Sequence, residues 1–129
     1  MNKNLPLSNI VVLDLTNVLS GPFATQILSD LGAEIIKVEK PNGDDSRKFG
    51  PFIKKRSSYF ISLNRGKKSI VVDFNNEEDK KIFKKLLAIS DVIIDNFKPG
   101  TLEKYGFSSS YLKKNFPLLI QTKISGFGE

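Results

Sequence analysis

A strand, a helix and a second strand follow one another within residues 10–39, and this order constrains the fold more than any other feature. The β-branched run 10–15 is typical of a strand buried on both faces of a parallel sheet. Apolar residues at helical spacing predict a helix over 22–31, and Gly32 suits the position just after a helix end. Strand character resumes over 34–39. Parallel strands joined by a helix require a right-handed crossover, which indicates an α/β fold.

The rest of the chain extends the same pattern. Residues 69–74 predict a strand, and Asn75 and Asn76 supply a cap for a helix whose apolar face includes Phe83 and Leu87. A further strand is predicted over 91–96, short helices over 102–105 and 109–115, and a last strand over 118–124. We therefore expect one α/β domain over residues 1–129, with a mostly parallel sheet flanked by helices.

Two stretches between the predicted strands lack this regularity. Residues 40–56 are rich in Pro, Gly and charge without periodicity, which predicts a long loop that is either functional or a solvated insertion. Residues 59–61 form a short apolar patch, and residues 64–68 predict a basic turn. That turn resembles a nucleic-acid patch in charge, but it lacks interleaved aromatic residues and a recognised binding motif. Nucleic acid is therefore the weaker alternative for a partner.

Composition limits the chemistry that the chain can perform. Among 129 residues, 20 Lys and Arg against 14 Asp and Glu give a net charge of +6, which favours an anionic partner. An AT-rich genome is the other explanation for the many lysines. The sequence has no Cys and no His, which excludes thiolate and imidazole catalysis and the zinc sites built from these side chains. Catalysis is left to carboxylate, hydroxyl, lysine or backbone groups.

The apolar runs of the sequence are short. They reach about five residues, whereas a helix that crosses a bilayer needs about 20. Residues 1–6 carry one Lys and are not followed by the apolar segment of a secretory signal. We therefore expect a cytoplasmic protein without a membrane partner.

Polar, cationic and aromatic residues follow the predicted strands at the edge where parallel sheets bind ligands. Lys suits phosphates, Asn can pair with a base or ribose edge, and Phe97 could stack on a purine. The residues at these strand ends are Lys40, Asp73, Phe74, Asn75, Asn96, Phe97 and Lys98, with Lys104 shortly after. A nucleotide-like anion fits this set. The alternative is that Phe97 packs in the core and that the lysines are only solvated.

Four carboxylates lie in or at the ends of predicted strands, namely Asp14, Glu39, Asp73 and Asp95, and paired carboxylates could do acid–base work. Asp14 and Asp95 could take part in acid–base chemistry, but nothing in their spacing marks either of them as a nucleophile. We expect both of them to accept hydrogen bonds from loop N–H groups.

Several segments taken together carry a family signature. They are residues 13–16, 21–26, 30–39, 64–69, 91–100 and 124–128. In order and spacing they resemble the N-terminal part of the family III CoA-transferases, which include formyl-CoA:oxalate and carnitine CoA-transferases and the related α-methylacyl-CoA racemases. The resemblance extends from about Leu7 to Glu129.

The resemblance implies a Rossmann-like domain that binds coenzyme A. It implies acyl-CoA and a carboxylic acid as substrates, no metal, and a homodimer of interlocked chains. Carried onto this sequence, the CoA contacts are Leu19, Ser20, Lys40, Val72, Asp73, Phe74, Asn75, Asn96, Phe97, Lys98 and Lys104. These positions include the strand-end residues named above.

The sequence departs from the family pattern at three points. Positions 40 and 104 often hold Arg, and Lys keeps the charge without the bidentate fork. Asn17 stands where some members have His, and Asn does not titrate near neutrality. The Asp that attacks the thioester in the family lies beyond Gly128, so no residue here is assigned as catalytic.

These departures define the leading hypothesis. We expect the chain to be the CoA-binding part of an acyl-CoA:carboxylate CoA-transferase, inactive by itself because the small domain and the C-terminal return segment are absent. A chain of this kind cannot interlock as the family dimer does. The alternatives are a standalone, non-catalytic CoA- or nucleotide-binding module and a basic nucleic-acid-binding protein.

Overall fold

Five parallel strands form the central sheet. The structure is a computed structural model that describes residues 4–128. Residues 1–3, which belong to the segment tested above for a secretory signal, lie outside the described residues, and so does residue 129. The strands are β1 (Val11–Asp14), β2 (Glu34–Glu39), β5 (Lys68–Val71), β6 (Val92–Asp95) and β7 (Ile120–Lys123). Their order across the sheet is β5-β2-β1-β6-β7, and every pairing is parallel. This is the first part of the doubly wound order, which confirms the predicted α/β architecture.

Helices cover both faces of this sheet. They are α1 (Ser20–Asp30), α2 (Ser58–Asn64), α3 (Glu77–Ile89), α4 (Thr101–Lys104) and α5 (Ser109–Asn115). Strand residues alternate between two apolar clusters, so Leu13 packs with Phe83 of α3 while Val12 packs with Ile35 and Leu28 of α1. The two clusters account for the near-continuous apolar runs in the strands, because a parallel sheet buries both faces.

Most of the predicted elements are confirmed, with shifts at their ends. Asn76 caps α3 by accepting hydrogen bonds from the N–H groups of Glu78 and Asp79. Gly32 has a φ of 103° just after α1, in the left-handed region that glycine adopts without strain. Strand β5 ends at Val71 rather than at residue 74, although the N–H of Val72 still donates to Glu39 O.

The prediction of a loop over 40–56 is wrong in part. Asp45–Lys48 form a 3-10 helix, and β3 (Phe52–Ile53) pairs with β4 (Arg56–Ser57) as a hairpin. The apolar patch at 59–61 lies in α2, whose first turn is capped by the Ser57 hydroxyl. The apolar residues of these short elements have no helical or strand period. The elements are anchored by buried polar groups and not by a buried apolar face, so the sequence pattern did not predict them.

Helix α1 turns its polar and small residues inward. Thr25 and Gln26 are buried, whereas Phe23 and Ile27 are about half exposed. A side chain at Gly21 would collide with the buried Thr16 side chain, so α1 approaches the end of β1 closely. The apolar spacing predicted the helix correctly, but most of its apolar stripe faces outward.

No membrane span is found in the described part of the chain. None of the helices within residues 4–128 is both long and apolar enough to cross a bilayer.

Candidate functional site

Two clefts open at the carboxyl edge of the sheet, where the sequence predicted a ligand. The first has a volume of about 160 Å³ and lies over the ends of β2 and β5. The second has a volume of about 540 Å³ and lies between the start of α1 and the segments that follow β6 and β7. Phe97 lines both clefts, so the two clefts are neighbours.

The first cleft is apolar and aromatic with a charged rim. Among the predicted site residues, it is lined by Lys40, Val72, Phe74 and Phe97. The rings of Phe74 and Tyr105 stack with centroids 5.3 Å apart. A flat ring with an attached phosphate fits this combination, because aromatic walls suit the ring and an ammonium group suits the phosphate.

The second cleft is lined by both polar and apolar side chains. Its predicted site residues are Ser20, Asn96, Phe97 and Lys98. The remaining lining comes from Pro99 and from residues 124–126. Lys98 is exposed and can meet an anion at the mouth of this cleft.

The loop after β1 carries Asn17 of the first cleft, leads to Ser20 of the second, and is fixed from both sides. Asn96 accepts a hydrogen bond from Asn17 N–H at 2.8 Å and donates one to Asn17 O at 2.9 Å. Val18 has a φ of 69°, a strained value for a β-branched residue, and its N–H donates to Asp44. The Asn96 side chain therefore holds this loop in place, a role that the sequence did not indicate.

Four of the predicted CoA contacts line neither cleft. Leu19 is the exposed residue just before α1, and Lys104 lies over the Tyr105 ring at 5.7 Å. The Asp73 carboxylate accepts hydrogen bonds from the N–H and the side-chain amide of Asn75. Leu19, Asp73, Asn75 and Lys104 thus lie in the loops and the helix around the clefts.

The first cleft also contains residues that sequence reasoning did not select. These residues are Val38, Thr101 and Tyr105. Glu39 and Asn17 line the cleft as well, and the sequence had indicated them only as a strand-end carboxylate and as a departure from the family pattern. Tyr105 could have been found from the sequence, because it is an aromatic residue directly after Lys104 and shortly after the Pro99-Gly100 break. The other residues were hidden because a strand end and a short helix meet there only in three dimensions.

A buried ion pair lies behind this edge of the sheet. Lys37 Nζ lies 2.9 Å from Asp44 Oδ2, and the two side chains are 1% and 0% exposed. Lys37 also donates to Thr16 O at 2.8 Å. Burial raises the pKa of Asp44, but hydrogen bonds from Lys37 and Ser46 outweigh it and leave the pKa below its usual value.

A second buried pair joins the basic turn to β1. Lys67 Nζ lies 3.1 Å from Asp14 Oδ2 and also donates to Thr25, Asn64 and Pro22 O. Burial lowers the pKa of Lys67, and the Asp14 carboxylate opposes that shift. The sequence indicated only that this turn is basic and resembles a nucleic-acid patch in charge, and the structure shows that Lys67 faces inward. Its charge is already neutralised and is not available to a polyanion.

Asp14 meets the expectation for strand-end carboxylates. It accepts hydrogen bonds from the Thr16 N–H at 2.9 Å and from the hydroxyls of Thr16 and Thr25. Asp95 likewise accepts one from the Phe97 N–H at 3.1 Å. Both carboxylates shape the loops that lead into the clefts.

Glu39, the last residue of β2, is a third buried carboxylate that is paired with a cation. Arg47 donates to its two oxygens at 2.7 and 2.6 Å, and Ser69 and the Asp44 N–H donate as well. Burial raises the pKa of Glu39, but these hydrogen bonds outweigh it and lower the pKa from 4.5 to about 2. In the described part of the chain, no group of three Asp or Glu side chains could hold a metal ion.

Replacing Lys37 with Met should destabilise the protein strongly. The Asp44 carboxylate would stay buried without its cation, which costs on the order of 3–5 kcal/mol in the free energy of unfolding. Urea denaturation measures the change. The matched control is Lys81→Met, which breaks the exposed pair with Glu78 and should cost less than about 1 kcal/mol. Equal losses in the two variants would contradict the role assigned to the buried pair.

Acid should weaken the fold through Glu39. Its pKa is lower in the folded state, so its contribution to stability is complete above about pH 4.5 and is lost as the pH falls towards 2. The shift corresponds to about 3 kcal/mol. Urea midpoints measured from pH 6 to pH 2.5 should fall less steeply in Glu39→Gln than in the wild type. Glu34→Gln, which alters an exposed pair, should keep the wild-type slope.

Comparison with known proteins gives a consistent family. The acetyl-CoA:oxalate CoA-transferase of Acetobacter aceti is 46% identical over 125 residues, which cover 96% of this chain and 32% of the relative. The succinyl-CoA:glutarate CoA-transferase of Homo sapiens is 46% identical over 131 residues, covering 100% of this chain and 30% of the relative. The chain thus spans about a third of the length of these curated relatives.

A solved structure agrees with these sequences. A CAIB/BAIF family protein from Brucella suis superposes with a TM-score of 0.91 at 45% identity, over 98% of this chain and 35% of the other. The sequence model of CoA-transferase family III matches residues 7–129, which is nearly the whole chain. With the same fold and relatives at more than 40% identity, the chain belongs to CoA-transferase family III.

Proposed function

We propose that the chain binds coenzyme A at the two strand-end clefts and forms the N-terminal, CoA-binding part of an acyl-CoA:carboxylate CoA-transferase. The observation that carries the proposal is the first cleft, where aromatic walls and the ammonium group of Lys40 meet at the carboxyl edge of a parallel sheet. The family of the chain supports CoA as the ligand.

Each part of the ligand has matching chemistry in the clefts. The adenine ring lies against Phe97 and the stacked rings of Phe74 and Tyr105, and a phosphate meets Lys40. The pantetheine arm extends past Phe97 into the second cleft, towards Ser20 and Lys98. The other proposed CoA contacts are Leu19, Val72, Asp73, Asn75, Asn96 and Lys104.

The whole enzyme exchanges CoA between an acyl-CoA and a carboxylic acid. This follows the relatives, which are named for acetyl-CoA with oxalate and for succinyl-CoA with glutarate. In the family, an Asp carboxylate attacks the thioester, and the resemblance puts that Asp outside these residues. We also propose the homodimer of the family for the whole enzyme.

The 129-residue chain should bind CoA without transferring it. The buried carboxylates Asp14, Glu39 and Asp44 are each held by a cation, so none presents a free oxygen pair to a thioester. Incubation with succinyl-CoA or acetyl-CoA and a carboxylic acid, followed by chromatography of the CoA esters, should show no new thioester. Turnover above the buffer rate would overturn this part of the proposal.

Replacing Lys40 with Glu should weaken CoA binding by about tenfold or more. The change converts an attractive charge beside the phosphate into a repulsive one. Isothermal titration calorimetry measures the affinity, and circular dichroism confirms that the fold is kept. The control is Lys85→Glu on the exposed face of α3, which changes the net charge equally and should leave the affinity within about twofold.

Two results would redirect the assignment. Equal affinities for the wild type and Lys40→Glu would remove Lys40 from the site. Binding of DNA or RNA that falls steeply with salt and is not displaced by CoA would favour the nucleic-acid alternative instead.

A further inference from the structure

Lys40 is already paired with a carboxylate of its own chain. Its Nζ lies 2.7 Å from Asp45 Oδ1, and the two side chains are 50% and 54% exposed. We propose that Asp45 is an intramolecular competitor for the ligand phosphate, which occupies Lys40 in the free protein and sets the affinity for CoA. This inference rests on the proposed function, because it assumes that Lys40 meets a phosphate.

The position of Asp45 is fixed by its buried neighbours in sequence. Asp44 and Ser46 are both 0% exposed, and the Ser46 N–H and hydroxyl donate to the Asp44 carboxylate at 2.9 and 2.7 Å. Lys37 anchors the same carboxylate from β2. The backbone of Asp45 is therefore held between two anchored residues, and its side chain stays within reach of the end of β2.

Asp45 differs from the other carboxylates around it. Glu39 is held by Arg47, and Asp44 by Lys37, so both of their charges are compensated inside the protein. In the described part of the chain, the cation paired with Asp45 is Lys40 itself. Among the described residues that line the first cleft, Lys40 is the one cation, and it is shared between a protein carboxylate and any anion that enters.

A ligand phosphate must displace this carboxylate or share the ammonium group with it. An exposed ion pair is only weakly favourable in water, so a ligand phosphate can break it. Some affinity is lost in doing so, and the Asp45 charge also repels the bound phosphate. The same pair keeps the Lys40 ammonium at the rim when no ligand is bound.

The test compares two carboxylate-to-amide substitutions in the 129-residue chain. Asp45→Asn should tighten CoA binding about three- to fivefold, as measured by isothermal titration calorimetry at low salt. Asp30→Asn is the matched control. Asp30 is 52% exposed and paired with Arg65, but it lies at the end of α1, on the opposite edge of the sheet from the clefts. This control should change the affinity by less than about twofold.

A double-mutant cycle shows whether Asp45 acts through Lys40. In a Lys40→Met background, Asp45→Asn should lose most of its effect on CoA affinity. Urea midpoints of Asp45→Asn close to the wild type confirm that the fold is unchanged. An unchanged affinity in Asp45→Asn, an effect equal to that of Asp30→Asn, or a full effect in the Lys40→Met background would each overturn the inference. A wild-type chain that binds no CoA would instead overturn the proposed function.

Discussion

The buried Lys37–Asp44 ion pair is the contact on which the irregular part of this fold depends. A lysine in the middle of a sheet strand cannot remain charged and buried without a partner, because transfer of an ammonium group from water costs several kcal/mol. Asp44 supplies that partner from a segment that would otherwise extend away from the sheet. With Asp44 in place, the 3-10 helix begins, Arg47 reaches Glu39, and Val18 N–H finds its acceptor. Buried ion pairs therefore hold the segments that form the edge of the candidate site.

The regular part of the fold could be predicted because its determinants are local. Strands β1, β2 and β6 are β-branched runs, and Asn76 followed by three acidic residues indicates the start of α3. The 3-10 helix, the hairpin and α2 could not be predicted in this way. Their anchors are single polar side chains, such as Asp44 and Ser57, whose partners Lys37 and Phe49 lie seven and eight residues away and match neither a helical nor a strand period. Such pairings leave no period in the sequence.

The candidate site shows the same division. Lys40, Phe74 and Phe97 were predicted from their positions after strands, and they line one cleft because the carboxyl ends of parallel strands meet at one edge. The role of Asn96 was not predictable. Its side-chain amide hydrogen-bonds to both backbone groups of Asn17, which lies 79 residues earlier in the sequence. Lys67 was the least predictable residue. A run of Arg and Lys beside Gly suggests an exposed turn, and only the buried Asp14 explains why one of these cations points inward.

The segment between β2 and β5 buries only polar residues. In residues 40–67 these are Asp44, Ser46, Ser57 and Asn64, whereas the two apolar clusters draw their buried members from elsewhere in the chain. A segment held in this way forms a unit that ion pairs tie to the sheet, so opening it means breaking those pairs. Amide hydrogen exchange within it then follows the strength of its ion pairs more than the burial of apolar surface. Since Lys40 belongs to this unit, the phosphate binding proposed for Lys40 is thermodynamically linked to the local order of the rim.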